Sequence, residues 1–203
     1  MTQIQLYAEK YRKRNLVTFG LNLRALKNSK GVIKKDLHPP PPKRFNDFTI
    51  DTPNLVNPSH NALGMRCGHA NGIFVIDVDD VNDWHTFLKD NQQLEGQFDS
   101  VVRQTSAKGG FHLFFKYSSD LDSFKGKEKC FGKKYSIDSR TNGNFIFATP
   151  TSYFGSVLYS ESNETVSWEY SWNIGRSIFD IELTDLPEWM KQKLNTSENV
   201  PSA

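Results

Sequence analysis

Cysteine and long apolar runs are both scarce in this chain of 203 residues. The two cysteines, Cys67 and Cys130, are too few for a disulfide framework, and their number is typical of proteins in a reducing compartment. No run of 18 apolar residues occurs, which excludes a conventional transmembrane helix. The N-terminal segment carries charge where a secretory signal needs an apolar stretch. We therefore expect a soluble, intracellular protein.

Several familiar catalytic motifs are also missing. The chain has no phosphate-binding loop of the G-x-x-x-x-G-K-[ST] type, no G-x-S-x-G nucleophile elbow, no G-x-G-x-x-G turn and no His-x-His pair. The segment Cys67-Gly68-His69 looks like half of a zinc site, but no second Cys/His pair follows it at ligand spacing. We therefore assign no structural zinc.

The composition is that of a folded protein with an uneven distribution of charge. Hydrophobic residues make up 37% and charged residues 24%, and the length suffices for one domain or two small lobes. The net charge is +2, yet residues 1–44 contain 11 basic and 2 acidic residues, and residues 103–140 contain 9 and 4. Two basic segments favour a phosphate-rich partner, although the same side chains could simply solvate exposed helices and loops.

The order of hydrophobic patterns predicts an α+β fold. Stretches with helical spacing of apolar residues are interspersed with short apolar or alternating runs typical of strands. We predict helices over 3–14, 82–91 and 187–194, and strands over 16–19, 73–76, 101–105, 111–117, 135–138, 144–149 and 166–170. The strands over 135–138 and 144–149 are predicted to form a hairpin. We expect a mostly antiparallel sheet covered by helices.

Two aspartates follow the most apolar of these strands. Asp77 and Asp79 are separated by one residue, so on an extended strand both side chains project from the same face. Paired carboxylates repel each other, and their oxygens are the ligands that Mg²⁺ and Mn²⁺ prefer in combination with substrate phosphates. The pattern predicts a divalent-metal site; the alternative is an acidic turn in which one aspartate caps the next helix.

A third carboxylate, Asp138, ends a separate predicted strand. Together with Asp77 and Asp79 it would complete a site for two divalent ions, which could clamp the attacking and leaving oxygens in a phosphoryl transfer. The alternative for Asp138 is a structural aspartate in a hairpin turn, a common role before a Ser-Arg-Thr-Asn-Gly sequence.

Groups suited to phosphate lie near the same strands. Gly109 and Gly110 precede His112, and the N–H groups of such glycines can cradle phosphate oxygens while the histidine donates to them. Lys108 and Arg140 could neutralise a phosphate. Ordinary alternatives stay open, because His112 could be hydrogen-bonded within the sheet and the two cations could be surface charges.

The order of these motifs resembles the three-motif series of the archaeo-eukaryotic primase superfamily. The similarity is greatest to the primase-polymerase domains of plasmids, phages and large DNA viruses. The three motifs are Ile-Asp77-Val-Asp79, then Thr105-Ser106-Ala-Lys108-Gly109-Gly110-Phe-His112, then Ile-Asp138-Ser-Arg140. Further similar segments are Lys34-Lys35 with the prolines after it, the run from Gly143 to Ser152, and Leu186-Pro187-Glu-Trp189. The resemblance thus extends almost across the chain.

The resemblance implies the catalytic core of that superfamily, with an RRM-like, mostly antiparallel sheet packed with helices and an N-terminal αβ lobe. It places one primase-polymerase domain over 1–194, with a basic N-terminal lobe over 1–70 and a metal-binding catalytic lobe over 71–194. Residues 195–203 are expected to be a disordered tail or linker. A fused or associated helicase is implied as a partner, with the cytoplasm or replication sites as the location.

The resemblance also assigns roles to individual residues. Asp77, Asp79 and Asp138 would bind two Mg²⁺ or Mn²⁺ ions, and His112 would join them as a catalytic residue. The incoming NTP or dNTP would be bound by Ser106, Lys108, Gly109, Gly110, His112 and Arg140. Contacts with a single-stranded DNA template and primer are expected from Lys34, Lys35 and Arg103.

The implied activity is template-directed nucleotidyl transfer for primer synthesis or extension. A 3′-hydroxyl would attack the α-phosphate of a nucleoside triphosphate with the help of the two metal ions, releasing pyrophosphate. Two other classes of protein stay open at this point. A non-catalytic nucleic-acid-binding module would keep the fold but have no use for clustered carboxylates. A metal-dependent nuclease would use the carboxylates without needing a triphosphate.

Overall fold

A computed structural model of the chain describes residues 1–156 and 165–198. Within these ranges the helices are α1 (Gln3–Lys13), α2 (Val81–Asp90) and α3 (Glu188–Glu198). The strands are β1 (Thr18–Leu21), β2 (Leu23–Lys27), β3 (Ile33–Leu37), β4 (Ala62–Arg66), β5 (Ile73–Val78), β6 (Val102–Thr105), β7 (Phe111–Lys116), β8 (Ile137–Arg140), β9 (Phe145–Ala148), β10 (Ser152–Ser156), β11 (Thr165–Glu169), β12 (Ser171–Trp172) and β13 (Thr184–Asp185). The predicted α+β class is confirmed. None of the described helices is both long enough and apolar enough to cross a membrane.

The chain is divided into two compact units. Residues 1–66 and 146–171 form the first unit, and residues 67–145 together with the segment that starts at residue 172 form the second. The boundary after residue 66 lies close to the lobe boundary that the sequence predicts at residue 70. Residues 146–171, which lie within the predicted catalytic lobe, belong to the first unit instead. Of the tail predicted over 195–203, residues 195–198 belong to α3, and the remainder lies outside the described residues.

The first unit contains three small sheets, with the strand orders β1-β4-β9, β2-β3 and β10-β11. Its first helix, α1, begins with a capping box in which Thr2 and Gln5 bond each other's backbone. Tyr11 of α1 is fully buried, and its hydroxyl donates to the carbonyl oxygen of Thr149 at 2.8 Å. The helix is therefore held to this unit by a buried aromatic side chain whose polar end is satisfied.

The second unit is built on a six-stranded sheet. Its strands follow the order β12-β6-β7-β5-β8, and β13 pairs with β7 in addition. β5, which contains the apolar run predicted from the sequence, lies between β7 and β8 and pairs antiparallel with both. β6 pairs antiparallel with β7, whereas the short β13 is parallel to it.

One face of this sheet contributes to the hydrophobic core of the second unit. The carboxylate of Asp80 caps α2 by accepting a hydrogen bond from the N–H of Asn82 at 2.7 Å. Trp84 of α2 belongs to the core cluster together with Ile76 of β5 and Leu113 of β7, which are cross-strand partners. Because side chains alternate along a strand, the intervening residues lie on the opposite face. That opposite face carries the predicted site.

The predicted hairpin between residues 135–138 and 144–149 is wrong. β8 pairs with β5, whereas β9 joins β4 in another sheet. The physical reason is that the two strands bury their apolar residues in different places: Ile137 belongs to the core cluster of the second unit, and Ile146 is assigned to the first unit. Asp138 therefore lies within a paired strand and not in a hairpin turn.

Candidate active site

Four polar side chains form a row across the sheet of the second unit. Asp77 of β5 is directly opposite His112 of β7 on one side and Asp138 of β8 on the other. Gln104 of β6 is in turn opposite His112. Directly paired residues of antiparallel strands project from the same face at close range, so this register brings together residues that are far apart in the sequence. We call these four residues the polar row.

His112 is held in the polar row by its two neighbours. Its Nε2 lies 3.2 Å from Oδ1 of Asp77, and its Nδ1 lies 3.0 Å from the side-chain amide of Gln104. The His112 side chain is 5% exposed, and Gln104 is fully buried. Because a carboxylate only accepts, Nε2 of His112 donates to Asp77, and Nδ1 bonds the side-chain amide of Gln104. Gln104 and Asp77 thereby fix the orientation of the imidazole ring.

Arg140 bridges the two aspartates of the polar row. Its Nη2 lies 3.2 Å from Oδ2 of Asp77 and 2.6 Å from Oδ2 of Asp138, and its Nε also donates to Asp77 at 3.3 Å. Arg140 is two residues after Asp138 on the same strand, so both side chains lie on the same face. A guanidinium that is shared between two carboxylates compensates most of the charge repulsion between them.

The pKa values of Asp77 and Asp138 are shifted in opposite directions. Burial alone would raise the pKa of Asp77, but the charges and hydrogen bonds of His112 and Arg140 lower it to about 2. Burial raises the pKa of Asp138, and the nearby charge of Asp77 adds to the rise. Asp77 is therefore a firmly ionised group, and Asp138 is the more readily protonated member of the pair.

Asp79 lies just beyond the end of β5. Its backbone N–H donates to the carbonyl oxygen of Ser136 at 2.9 Å, and its side chain is exposed. Burial opposes the charge of Arg140, but Asp77, Asp138 and Asp79 together raise the pKa of that guanidinium. The charges of all three predicted metal ligands therefore stabilise one guanidinium, which Asp77 and Asp138 contact directly.

The turn between β6 and β7, residues 106–110, lies against the end of β5. Its N–H groups at Ser106 and Gly109 bond within the turn, to the carbonyls of Gly110 and Ser106 respectively. A side chain at Gly110 would collide with the carbonyl oxygen of Val78, so only glycine allows this close approach. Gly109 has a φ of +85°, which also favours glycine. The two glycines thus place the turn beside Asp79.

Lys108 is exposed at this turn. It lies between Ser106 and Gly109, on the side of the sheet where β5 ends. The structure therefore places the residues of this turn next to the end of β5, where Asp79 lies.

The donor chemistry of the three aspartates fits a divalent cation. Carboxylate oxygens suit Mg²⁺ and Mn²⁺, and the position of Arg140 between Asp77 and Asp138 shows that positive charge is stabilised there. Across residues 1–156 and 165–198, no group of three His, Cys, Asp or Glu side chains is arranged to hold an ion as it stands. In this structure the guanidinium supplies the positive charge among the carboxylates.

The predicted DNA contacts at Lys34 and Lys35 lie on β3 of the first unit, outside the polar row. Lys34 is exposed. The Nζ of Lys35 donates to the hydroxyl of Tyr170 at 2.6 Å and lies 5.6 Å from the ring centroid of Phe147. Lys35 is therefore fixed by aromatic neighbours, whereas Lys34 has the exposure that a phosphate contact requires.

Arg103, the third predicted DNA contact, lies on the face of the sheet opposite the polar row. It is the cross-strand partner of the core residue Leu113. Its guanidinium lies 3.7 Å from the ring centroid of Phe111, and its Nη1 donates to Glu95 at 3.3 Å. The structure thus separates Arg103 from the other predicted site residues and places it in packing contacts.

The two side chains of the half zinc motif have different surroundings. Cys67 is buried, and burial raises the pKa of its thiol to about 12. His69 is exposed, and its Nε2 lies 2.9 Å from a carboxylate oxygen of Asp122.

Sequence reasoning missed two groups that support the site. Gln104 orients His112, and the backbone N–H of Lys129 donates to Oδ1 of Asp138 at 2.8 Å. Neither belongs to a recognisable motif. One signal could have found Gln104. If the strands on either side of the turn over 106–110 are assumed to form a tight hairpin, Gln104 lies opposite His112.

A comparison with known families agrees with this geometry. Residues 29–189, more than half of the chain, match the family model Prim-Pol, described as "Bifunctional DNA primase/polymerase, N-terminal". The matched range contains the whole polar row, Asp79, Arg140 and the turn over 106–110. A search of curated proteins found no match. The resemblance inferred from the order of the motifs is confirmed: the chain belongs to the Prim-Pol family of DNA primase/polymerase domains.

Proposed function

We propose that the face carrying the polar row performs template-directed nucleotidyl transfer from an NTP or dNTP to a 3′-hydroxyl, for primer synthesis or extension. The observation that carries this proposal is the pairing of Asp77 and Asp138 with the guanidinium of Arg140, with Asp79 two residues beyond Asp77 at the end of the same strand. Negative groups repel phosphates, so a module that only binds nucleic acid gains nothing from three neighbouring carboxylates. The clustering therefore favours an enzyme over a binding module.

Asp77, Asp79 and Asp138 are the residues that would hold two Mg²⁺ or Mn²⁺ ions. Such ions, when bound, lower the pKa of an attacking hydroxyl and neutralise charge on leaving oxygens. Arg140 would then release the carboxylates, and its planar guanidinium would become available to the phosphates of the nucleotide. In this proposal, Arg140 exchanges one set of anionic partners for another.

The triphosphate is proposed to bind at the turn over 106–110. Because Gly110 packs against the backbone at the end of β5, phosphates at this turn would be close to Asp79. Ser106 offers a hydroxyl and Lys108 an exposed positive charge. His112 faces the same carboxylates from β7, where Gln104 fixes its ring. These residues would orient the nucleotide, and the carboxylates would keep the cations in place.

A single-stranded DNA template and a primer are the proposed macromolecular substrates. Lys34, which is exposed, is the better candidate of the two N-terminal lysines for contacting the template, because Lys35 already bonds Tyr170. A fused or associated helicase is the proposed protein partner, as the family resemblance implies.

The direct test measures nucleotide incorporation on a single-stranded template with Mg²⁺ or Mn²⁺, with and without a primer. Wild type is compared with Asp77→Ala/Asp79→Ala and with the control Asp99→Ala/Glu182→Ala, which removes two exposed acids outside the site. We expect the first double variant to lose incorporation by about 10⁴-fold, the scale seen when a catalytic group is removed. The control should keep the wild-type rate.

The other outcomes separate the alternatives. Retained DNA binding without incorporation under either ion would favour a binding module. Metal-dependent strand cleavage without incorporation would favour a nuclease. Incorporation that survives the loss of Asp77 and Asp79 would overturn the assignment of the site.

A further inference from the structure

The segment over 125–134, which we call the lysine strap, is the most basic stretch of the second unit. Its ten residues contain five lysines and one acidic residue, Glu128. Lys125, Lys127, Lys129, Lys133 and Lys134 are all exposed. Lys134 pairs with Asp90 of α2. None of the predicted nucleic-acid contacts included this segment.

The lysine strap is bonded along the outer edge of β8, the edge strand that carries Asp138. Lys127 and Ser139 exchange backbone hydrogen bonds of 3.0 and 2.9 Å, and the N–H of Cys130 donates to the carbonyl of Ile137 at 2.8 Å. The N–H of Lys129 donates to the side chain of Asp138. The strap therefore covers the unpaired edge of β8 and follows the strand from Ile137 to Ser139.

Apolar side chains fix the strap while its lysines stay exposed. Cys130 is fully buried in the core of the second unit, and Phe124, just before the strap, is 5% exposed. The ring of Phe131 stacks on Phe87 of α2 with a centroid separation of 4.4 Å. A basic loop that served only to keep the protein in solution would not need such anchoring. Here the positive charges are held in place along the outer edge of β8, and the direct pairing of Lys127 with Ser139 puts the Lys127 side chain on the core face of the sheet.

The strap and the proposed triphosphate turn lie on opposite sides of Asp77. The order across the sheet is β6, β7, β5, β8 and then the strap. Three inter-strand spacings separate the strap from β7, which is roughly 14 Å. A triphosphate bound at the turn over 106–110 would therefore not occupy the strap, which stays available to a second phosphate-bearing ligand. Lysines spread along a segment suit a repeating phosphate backbone, which they bind without regard to sequence.

We infer that the lysine strap binds the phosphate backbone of single-stranded nucleic acid along the outer edge of the sheet of the second unit. This inference rests on the proposed function, because it gives the polynucleotide substrate a surface along the edge of the strand that carries Asp138. It predicts a salt-dependent, sequence-independent contribution to binding from the second unit itself.

The test compares Lys125→Gln/Lys127→Gln/Lys133→Gln with wild type. These positions leave unchanged Lys129, whose backbone N–H donates to Asp138, and Lys134, whose side chain pairs with Asp90. The matched control, Lys89→Gln/Lys116→Gln/Lys193→Gln, removes three exposed lysines of the same unit that lie outside the strap. The affinity for a labelled oligothymidylate of about 20 nucleotides is measured by fluorescence anisotropy over a series of NaCl concentrations.

The strap variant should bind the oligonucleotide at least tenfold more weakly at low salt. Its slope of log affinity against log salt should fall by about 2, because each lost phosphate contact on a single strand contributes about 0.7. The control should keep a slope close to that of wild type. A wild-type slope in the strap variant, or an equal loss in the control, would overturn the inference.

Two further measurements keep the outcomes distinct. Thermal unfolding checks that the variants are folded, and Lys125→Glu/Lys127→Glu provides a second variant with a larger change in charge and the same expected loss of affinity.

Protection against thermal unfolding by a dNTP with Mn²⁺ should be the same in wild type and in the strap variant. Loss of that protection with unchanged DNA binding would make the strap a triphosphate site and refute the inference. A wild-type protein that binds neither ligand would refute the proposed function as well.

Discussion

The two faces of the sheet in the second unit are built by the same strands but have opposite chemistry. On the core face, Ile76 and Leu113 are fully buried among apolar side chains. On the other face, the residues adjacent to these in sequence, Asp77 and His112, bond each other and further polar groups. A slip of one residue would exchange the faces, so burial of the apolar set fixes the register of the polar set. The core thereby positions the site.

The largest effect on stability is expected on the core face. Leu113→Ala should lower the free energy of unfolding by about 3 kcal/mol, because it removes a fully buried side chain and leaves a cavity. Urea unfolding measures the change. The control is Leu94→Ala, at a position that is 79% exposed, and it should change stability by less than about 0.5 kcal/mol. Equal effects at the two positions would contradict the assignment of the core face.

On the site face, Arg140→Gln should lower the free energy of unfolding by about 2 kcal/mol at neutral pH. The substitution leaves Asp77 and Asp138 without their shared counter-charge, and the cost is below that of a fully buried pair because the Arg140 side chain is 28% exposed. Added Mn²⁺ should restore stability to this variant more than to wild type, since a cation replaces the lost charge. Thermal unfolding with and without MnCl₂ measures both effects.

The control for this prediction is Arg44→Gln, which breaks an ion pair with Asp47 in which the arginine is 84% exposed. Its stability should change little, and the change should not depend on Mn²⁺. A stabilisation by Mn²⁺ that is equal in the two variants would argue against a cation site at the carboxylates.

Gln104→Ala should slow nucleotide incorporation by tenfold or somewhat more, the usual scale for a residue that orients a catalytic group. The reason is that Nδ1 of His112 loses its buried partner and the ring is less firmly oriented. The ¹⁵N chemical shifts of the His112 ring should change with it, which a purely structural role would not cause. Gln192→Ala, the same substitution at an exposed position of α3, should alter neither measurement. A fully active Gln104→Ala would exclude the positioning role.

The smallest effect is expected at Arg103, on the core face. Arg103→Gln should lower the free energy of unfolding by about 1 kcal/mol, because the stacking on Phe111 and the bond to Glu95 are lost. The affinity for single-stranded DNA and its salt dependence should not change. A flatter salt slope in this variant would show that Arg103 contacts phosphates despite its position.

Secondary structure was predictable where the signal is local. The apolar run of β5 and the spacing of Trp84, Phe87 and Leu88 in α2 each need only a short window of sequence. The predicted hairpin of β8 and β9 was wrong. The turn residues between the two strands are a local signal for a hairpin, but the partner of each strand depends on the core in which the strand is buried. That choice is made by contacts distant in sequence.

The same distinction applies to the site. Asp77, Asp79 and His112 stand out by motif spacing, but the bond between Asp77 and Arg140 joins residues 63 positions apart. It exists only because β5 and β8 pair in one register. Gln104 has no motif of its own, and its role follows from the residue opposite it. Polar groups that act through a neighbour can therefore be predicted only once the pairing of the strands is known or assumed.

Binding of a triphosphate tests the central claim most directly. With Mn²⁺ and a dNTP at about 100 times its Kd, the stabilisation is about 2.7 kcal/mol, which should raise the Tm of wild type by roughly 5–10 °C. Asp77→Asn should lose this shift, and Asp99→Asn, at an exposed position, should keep it. A shift in Asp77→Asn as large as in wild type would show that the carboxylates of the polar row do not bind the metal–nucleotide complex.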